Sequence, residues 1–399
     1  MSAQGLPLLG VRVLAVEQYG AGPYGTMFLA DQGAEVIKIE NPAEGGDMAR
    51  GVGPHFFGPG DSQFFHSFNR NKKSLTLDLS HDEGRALFRQ LAAKSDAIAC
   101  NLRGDVHAKL GLTYDALKDA NPAIVCAHLS AYGRNGPRAD WPGFDYLMQA
   151  EAGYLTLTGE PDGPPARAGL SIIDMMTGLA MSYGLVASLM TARKTGIGRD
   201  IDVSLFDLAL HNLSYLATWY LATGDVQKRL PRSAHPSITP SQLYPTKDSW
   251  IFIMCNKEKF WRILCDALGK PEWKSDARYV NASQRLANRD QLNIQLDDSL
   301  RTRTTAEWLA HLGGRVPAAP IYDVGQALEN PFVAVIGGIH SYALANGSEY
   351  RMVAPPIRTA GVDAPRNAAP ALGADTNALL RGIGIGDDAI AALRAKKII

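Results

Sequence analysis

The sequence lacks an excess of charge of either sign. Forty lysine and arginine residues balance forty aspartate and glutamate residues, so the formal net charge of the 399 residues is zero. A neutral chain has no overall field that attracts nucleic acid or an anionic membrane, so local groups must hold any anionic ligand. We therefore expect neither nucleic acid nor a membrane among the partners.

Cysteine is also scarce. The chain has four scattered cysteines, with no C-x-x-C pair and no nearby histidine at metal-ligand spacing: Cys100, Cys126, Cys255 and Cys265. Three of them stand in apolar runs such as IVCAHL and WIFIMC. This pattern predicts buried, reduced thiols, a reducing compartment and no metal site.

Long apolar runs and processing signals are missing as well. No run reaches the eighteen apolar residues of a membrane span, and residues 1–20 lack the pattern of a secretory signal. Residues 173–192 are apolar, but Asp174, Thr177 and Ser182 interrupt them, so we expect a buried helix there. No internal repeat or low-complexity tract is present. These absences predict a soluble, cytoplasmic protein.

The first third of the chain alternates between strand-like and helix-like segments. Residues 11–16 and 35–40 predict strands, and residues 24–32 predict a helix between them. The alternation continues with strand-like segments 74–80, 96–101 and 123–132 and a helical segment 83–94. Strands separated by helices are typical of an open parallel sheet with helices on both faces. The predicted fold class is α/β.

A glycine motif follows the first strand. Gly20-Ala-Gly22-Pro-Tyr-Gly25 matches G-x-G-x-x-G, and Glu40 ends the next strand, where a dinucleotide-binding fold places its ribose-binding acid. However, residues 17–19 lie between the strand and the glycines. We expect this insertion to move the glycines away from the helix N-terminus that holds a pyrophosphate. An oxidoreductase that binds NAD or FAD is the alternative from a different class.

Short segments with a recognisable order span nearly the whole chain. They are VRVLAVEQYGAGPYG, GAEVIKIE, GDMAR, FNRNKKS, NLR with KLGL, SAYG with GP, TGIG and LGADT. Together they resemble the class III CoA-transferases, the group that includes formyl-CoA transferase, carnitine CoA-transferase and α-methylacyl-CoA racemase. The resemblance implies a Rossmann-like large domain that binds CoA, a small domain, and a homodimer of interlocked chains.

The resemblance and a change in composition at residues 226–250 suggest a division into domains. Residues 1–222 form the first part of the large Rossmann-like domain. Residues 223–330 form a linker and a small α+β domain, and residues 331–399 return to the large domain.

The implied reaction moves CoA between two carboxylic acids. It roughly conserves thioester energy, so we expect no tightly bound cofactor; acyl-CoA and a small carboxylic acid are the substrates. The family's nucleophile lies in a segment G-x-x-x-x-D-x-x-x-G, here Gly169 to Gly178, which implies Asp174. The residues alone favour a helix N-cap for Asp174, and the resemblance favours the nucleophile. Because an unperturbed aspartate has a pKa of about 3.9, we expect Asp174 to be ionised at neutral pH without a base.

The resemblance also assigns roles to other residues. It assigns Gln18 and Ala21 to the thioester and its oxyanion, and it assigns Asn101, Leu102 and Lys109 to CoA binding. Asp145 is assigned to the substrate pocket. The most basic short patch, assigned to the CoA phosphates, is Arg70, Lys72 and Lys73. Turn formation and solvated surface charge are the alternative roles.

Within the family, a racemase is the alternative reading. Racemases place a proton-transferring histidine after the glycine that matches Gly143, but this chain has Phe144. His128 lies on the preceding strand and is expected to be buried. We therefore favour a transferase.

Substrate preference follows from departures from the family pattern. Asn41 replaces a basic residue that grips the adenosine phosphate, and residues 226–260 lack the glycine-rich lid of formyl-CoA transferase, which argues against formate and oxalate. Residues 234–240 resemble relatives that act on dicarboxylates. We predict a succinyl-CoA-type donor and a small dicarboxylic acceptor. The candidates for its second carboxylate are Arg232, His235 and Gln242.

Overall fold

The computed structural model describes residues 5–344 and 346–399. The chain forms two compact units. The first runs to Ala152 and also contains Ala168–Ser214 and the chain from Ala334 onward; the second contains Gly153–Arg167 and Tyr215–Val333. The segment Gly153–Arg167, which the sequence division placed in the large domain, thus groups with the second unit.

The described residues form these strands: β1 (Arg12–Val16), β2 (Glu35–Glu40), β3 (Phe56–Gly58), β4 (Asp61–Ser62), β5 (Lys73–Thr76), β6 (Ala97–Cys100), β7 (Val125–Ser130), β8 (Arg199–Ser204), β9 (Ser241–Pro245), β10 (Trp250–Met254), β11 (Ala318–Pro320), β12 (Ile339–Ala343) and β13 (Glu349–Val353). The α-helices are α1 (Ala21–Asp31), α2 (Gln63–Asn69), α3 (Asp82–Ala92), α4 (Val106–Lys109), α5 (Tyr114–Leu117), α6 (Asp145–Glu151), α7 (Ile172–Thr195), α8 (Leu205–His211), α9 (Tyr215–Thr223), α10 (Glu258–Ala267), α11 (Ala282–Ala287), α12 (Arg289–Leu300), α13 (Thr305–Leu312), α14 (Val324–Leu328), α15 (Pro331–Val335), α16 (Thr376–Gly382) and α17 (Asp387–Ala395).

A six-stranded parallel sheet forms the centre of the first unit. Its order is β5-β2-β1-β6-β7-β8. Its inner strands are continuous apolar runs, and every residue of β6 is buried, as expected where helices cover both faces. The direction of winding reverses between β1 and β6, and ligands of such sheets bind outside the carboxyl ends of the strands at that point. The predicted α/β class is confirmed.

The glycine motif belongs to the start of α1. Gly20 is the N-cap of α1, so the expectation that residues 17–19 move the glycines away from the helix N-terminus is wrong. A Cβ added to Gly25 would lie 2.3 Å from the carbonyl oxygen of Gly178 in α7. The motif therefore permits the close crossing of α1 and α7.

Helix α7 is long and apolar enough to cross a membrane by length and composition, with a mean hydropathy of 1.4 over its most apolar window, of which 44% is buried. It packs against α1 and β7 with the side that carries Asp174, Thr177 and Ser182. The opposite side exposes Tyr183 (79%) and Met190 (73%). The prediction of a buried helix is thus correct for one side only.

The second unit is an α+β structure. Its antiparallel sheet has the order β11-β10-β9, and α10, α12 and α13 contribute to its core. Cys255 and Cys265 are buried free thiols in this core, and Cys100 and Cys126 are buried free thiols in the first unit. The prediction of buried thiols is confirmed.

Candidate active site

A cavity of about 240 Å³ lies in the first unit at the carboxyl ends of β1, β6 and β7. It is lined by the segments 18–21, 101–103, 129–131 and 141–144, together with Met48, Asp174 and Leu205. Of the residues predicted from the sequence, the cavity brings together Gln18, Ala21, Asn101, Leu102 and Asp174. This is the switch point of the sheet, where a ligand is expected.

Asp174 reaches the cavity from the first turn of α7. The N-cap of this helix is Ser171, so Asp174 is not the capping residue. The Asp174 residue is 8% exposed, and within residues 5–344 and 346–399 its carboxylate has no hydrogen-bond partner. A Cβ added to Gly20 would lie 2.8 Å from Asp174 Oδ2, so only glycine leaves room for the carboxylate beside the start of α1.

Asp145 is hydrogen-bonded to the first turn of α7 and does not line the cavity. Its Oδ2 accepts hydrogen bonds from the backbone N–H groups of Ile173 (2.7 Å) and Asp174 (3.0 Å), and its Oδ1 accepts one from Gln149 Nε2 (2.5 Å). These bonds supply the cap that Ser171 does not provide. Asp145 is 3% exposed and is absent from the cavity lining, so the structure does not place it where the assigned substrate contact requires.

The surroundings of Asp174 raise its pKa to about 7, because burial disfavours the charged form and the charge of Asp145 lies close by. The expectation of an ordinary aspartate pKa is therefore wrong. The carboxyl of the free protein is about half ionised at neutral pH and becomes an effective nucleophile as the pH rises above 7. The sequence could not show this, since Asp145 is 29 residues away along the chain.

The backbone N–H of Gln18 is already used. It donates to Asn101 Oδ1 (2.8 Å), and Asn101 Nδ2 donates back to the Gln18 carbonyl (2.7 Å). The next N–H, that of Tyr19, donates to Asp47 Oδ1 (2.9 Å). Neither group is available to an oxyanion as the structure stands. Among the described residues no side chain caps α1, so the N–H groups at its start, including that of Ala21 in the cavity lining, are the donors that remain for an oxyanion.

A buried ion pair that the sequence analysis missed supports this loop. Tyr19 has a φ of 68°, an uncommon backbone conformation for a side chain of its size. Its N–H partner Asp47 is paired with Lys38 at 2.7 Å, and both side chains are fully buried. The recognisable segments GDMAR and GAEVIKIE contain Asp47 and Lys38, but the sequence analysis gave neither residue a role.

Two of the residues assigned to the CoA phosphates are buried in ion pairs. Arg70 pairs with Asp31 (2.8 Å), and Lys72 pairs with Glu17 (2.7 Å), with both lysine and glutamate side chains fully buried. Charges that are buried and paired within the protein in this way are not presented to a ligand. The structure does not bring Arg70 or Lys72 to the cavity.

The other two assigned cations lie on the surface. Lys73 Nζ is 2.7 Å from Glu35, and Lys109 Nζ is 2.5 Å from Asp105, which also accepts from Arg103. The Lys109 side chain is 67% exposed and lies one turn beyond the segment 101–103 that lines the cavity. It can therefore leave Asp105 for a phosphate at small cost.

The acid at the end of β2 is unavailable to a ribose. Both oxygens of Glu40 accept hydrogen bonds from Arg50 (2.8 Å each), and Ser74 Oγ donates to it as well (2.5 Å). Glu40 is 2% exposed. Because its oxygens already accept these hydrogen bonds and one from the Asp47 N–H, a hydroxyl pair of a dinucleotide would have to displace them.

A family model described as CoA-transferase family III matches residues 8–376. The chain belongs to CoA-transferase family III. As a CoA-transferase it uses CoA thioesters as substrates. This finding confirms the resemblance and overturns the alternative of an NAD- or FAD-dependent oxidoreductase.

Family members of named activity match most of the chain. The acetyl-CoA:oxalate CoA-transferase of Acetobacter aceti is 36% identical over 372 residues, which cover 92% of this chain and 93% of that protein. The succinate–glutarate CoA-transferase of Agrobacterium fabrum is 35% identical and covers 83% and 84% of the two chains. The human succinyl-CoA:glutarate CoA-transferase is 32% identical and covers 90% and 79%.

Solved structures of the family share the fold. A CAIB/BAIF family protein from Brucella suis has a TM-score of 0.80 and 33% identity, with 95% of this chain and all of that chain covered. Rv3272 from M. tuberculosis has a TM-score of 0.83 and 28% identity, with 94% and 99% covered.

Phe144 stands at the position where racemases are expected to have a proton-transferring histidine, and this position lies in the cavity of this CoA-transferase. Phe144 lines it, and its ring centroid is 6.3 Å from that of Tyr19. A phenyl ring cannot transfer a proton. His128 is 1% exposed on β7, as predicted, and does not line the cavity.

The candidates for the acceptor carboxylate belong to the second unit. Arg232 donates to both oxygens of Asp297 (2.8 and 2.7 Å). Its guanidinium is therefore already paired with a carboxylate of the protein. Gln242 is buried and accepts from Asn293. His235 Nδ1 accepts the N–H of Ser237 (3.1 Å). His235 keeps one ring nitrogen for a ligand.

The link between Asp145 and Asp174 leads to a testable prediction. Asp145→Asn removes the neighbouring charge that raises the pKa of Asp174 and keeps one oxygen for the α7 backbone. We expect the acidic limb of the kcat/KM profile, which reports the free enzyme, to shift to lower pH by about one pH unit. The matched control is Gln149→Leu, which breaks the bond to Asp145 without changing charge. It is expected to cost about 1 kcal/mol in stability and to leave the limb in place. If the acidic limb of the profile did not shift in Asp145→Asn, the charge of Asp145 would not contribute to the raised pKa of Asp174.

Proposed function

We propose that the chain transfers CoA from a succinyl-CoA-type donor to a small dicarboxylic acid through a covalent adduct on Asp174. One observation carries this proposal: a buried carboxylate with no hydrogen-bond partner in the described chain faces a cavity beside the uncapped start of α1. A buried carboxylate that no structural bond explains is a candidate nucleophile.

The first half of the reaction forms a thioester on the enzyme. An Asp174 oxygen attacks the donor carbonyl, and the N–H groups at the start of α1 donate to the oxyanion. The C–S bond breaks, so CoA leaves as a thiolate and a mixed anhydride remains on Asp174. The thiolate then attacks the aspartyl carbonyl, which releases the donor acid and leaves CoA on Asp174.

The second half repeats these steps in the opposite direction. The acceptor carboxylate attacks the aspartyl thioester and displaces the thiolate, which then attacks the acceptor carbonyl. The product is the acceptor's CoA ester, and Asp174 is a carboxylate again. Bonds and charges balance without an oxidant, a reductant or a nucleoside triphosphate, which supports an enzyme without a tightly bound cofactor.

Several observations support a dicarboxylic acceptor. Relatives are named as CoA-transferases for oxalate, glutarate and mesaconate, which are all dicarboxylic acids. Oxalate is among them, so the argument against oxalate from the missing glycine-rich lid carries less weight. His235 stays our candidate for the second carboxylate, with Arg232 available only if it leaves Asp297.

A panel of acceptors tests the substrate class. With succinyl-CoA as donor, we expect transfer to glutarate, mesaconate and other short dicarboxylates at rates at least about tenfold above transfer to butyrate, because the monoacid leaves the groups for the second carboxylate unpaired. Equal or faster transfer to monoacids would refute the dicarboxylate proposal and leave CoA transfer itself intact.

We also propose a cytoplasmic, interlocked homodimer. Each unit exposes an apolar helical surface: Tyr183 and Met190 on α7, and Tyr220 (55%) and Leu221 (82%) on α9. Apolar surface of this kind is typical of an interface. Light scattering is expected to give twice the mass of one chain, and Tyr183→Asp to weaken the dimer, whereas a wild-type monomer at micromolar concentration would contradict the proposal.

A further inference from the structure

Two histidines and a cysteine converge in the first unit, away from the cavity. His107 Nδ1 lies 2.7 Å from His128 Nδ1, and Cys100 Sγ lies 3.2 Å from the latter. All three residues are buried. The sequence shows no histidine at metal-ligand spacing from a cysteine, and the three residues come together because α4 and β7 meet β6 in the fold.

The outer nitrogens of both rings face acceptors. His107 Nε2 is 2.9 Å from the Leu102 carbonyl oxygen, which can only accept. His128 Nε2 is 2.7 Å from Asp200 Oδ1. Each of these contacts needs a proton on Nε2, so both Nδ1 atoms of neutral rings would present lone pairs to each other.

The contacts therefore need one more proton than two neutral imidazoles carry. Three contacts, from the Leu102 carbonyl through both rings to Asp200, each require a hydrogen, and two neutral rings supply two. The missing positive charge is either a proton or a metal ion between the Nδ1 atoms.

The spacing distinguishes a proton from a metal. Two nitrogens bound to one tetrahedral zinc are about 3.3 Å apart, since each lies about 2.0 Å from the ion. The observed 2.7 Å is shorter than that and matches a hydrogen bond.

From this proton count we propose that His128 is an imidazolium that donates its Nδ1–H to neutral His107, and that the pair positions the segment 101–103 of the CoA site. His107 holds the Leu102 carbonyl, and Leu102 lines the cavity next to Asn101. Both are positioning residues. The inference rests on the proposed function, because its consequence is for acyl-CoA binding.

The charged groups around the pair fit this assignment. Burial opposes ionisation of Asp200, but hydrogen bonds from His128 and the Tyr114 N–H outweigh it and lower the pKa of Asp200, which leaves a counter-ion for His128. Burial lowers the pKa of His107 to about 4, so His107 is the neutral partner.

The remaining neighbours are a thiol, an arginine and a second aspartate. Burial raises the pKa of the Cys100 thiol, so it stays neutral and its S–H points to the Ala127 carbonyl (3.6 Å). Arg134 lies 3.7 Å from Asp200 and is paired with Asp202. The arginine opposes the imidazolium and the two carboxylates favour it.

The sign of the pH effect follows. When the pair loses its proton at high pH, two lone pairs face each other at 2.7 Å, and the rings must part or release Leu102. The KM for acyl-CoA is then expected to rise about fivefold, the effect of one lost hydrogen bond, with kcat unchanged at saturation.

Two variants of His107 distinguish the effect of the hydrogen bond to Leu102, called the tether below, from the effect of losing the proton of the histidine pair. His107→Gln can donate to Leu102, and its amide can serve as donor or acceptor toward His128 Nδ1, so loss of the His128 proton leaves no opposed lone pairs and the KM should stay low and flat from about pH 6 to about pH 9. His107→Phe loses the tether, so its KM should be about fivefold higher throughout. A KM profile in His107→Gln that follows the wild-type profile would overturn the proposal.

A direct measurement uses the ligand-free protein and does not depend on activity. With ¹⁵N-labelled histidine, the ring of His128, assigned as the signal that is absent in His128→Asn, should show both ring nitrogens protonated at pH 7. All rings neutral would refute the proposal. So would one equivalent of zinc or copper that disappears in Cys100→Ser. Absence of CoA transfer in the wild type would instead refute the proposed function and leave this proton assignment standing.

Discussion

Asp174→Asn and Asp174→Ala are expected to lose CoA exchange by at least about 10⁴-fold, because no other carboxylate in the cavity lining can form the covalent adduct. Exchange is measured with labelled succinate and succinyl-CoA. The loss should appear in kcat, with the affinity for acyl-CoA changed by less than about tenfold, since Asp174 reacts with the thioester rather than holding the nucleotide.

A matched control separates the nucleophile from any acidic residue at a helix start. Asp290 also lies in the first turn of a long helix, α12, and is exposed. Asp290→Asn is expected to keep the wild-type rate. Exchange within tenfold of wild type in Asp174→Ala would remove Asp174 from the chemistry.

The second large effect is on stability. The pKa of Asp174 is about 7 in the folded protein and about 3.9 in an unfolded chain. The folded state therefore keeps a proton that the unfolded state releases, and the free energy of unfolding falls as the pH rises from about 4 to about 7. At about 1.4 kcal/mol per pKa unit, the fall reaches up to about 4 kcal/mol at pH 8.

Asparagine does not ionise, so Asp174→Asn avoids this loss. We expect it to be up to about 4 kcal/mol more stable than the wild type at pH 8 and nearly equal to it at pH 4. Urea or thermal unfolding at the two pH values checks this, with Asp290→Asn as the control that shows no pH-dependent gain. If Asp174→Asn were less stable than the wild type at both pH values, burial of the ionised Asp174 carboxylate would not destabilise the folded protein, which would contradict the prediction. An inactive but stabilised variant is the expected signature of a catalytic group in an unfavourable environment.

Local patterns revealed most of the sheet. The runs at 11–16, 35–40 and 96–101 coincide with β1, β2 and β6 because strands covered on both faces are apolar throughout. The start of α1 was predicted three residues too late, since glycines are poor helix formers; in the fold, Gly25 allows close packing on α7, and Gly22 allows the close approach of Asn101 and Glu17.

The site could be predicted only in part. The family pattern pointed to Asp174, and the structure places it in the cavity with Gln18 and Asn101. What the sequence could not give depends on contacts between distant residues. The raised pKa of Asp174 comes first from its burial and then from the charge of Asp145, and Lys72 is paired with Glu17, 55 residues away.

Mass spectrometry of Asp174 tests the central claim most directly. The protein is mixed with succinyl-CoA without acceptor, treated with hydroxylamine or borohydride to trap the activated aspartyl carbonyl, and digested. We predict that the peptide with Asp174 carries the hydroxamate or the reduced alcohol in most molecules, and that Asp174→Asn carries neither. An unmodified Asp174 peptide during active exchange would contradict the account.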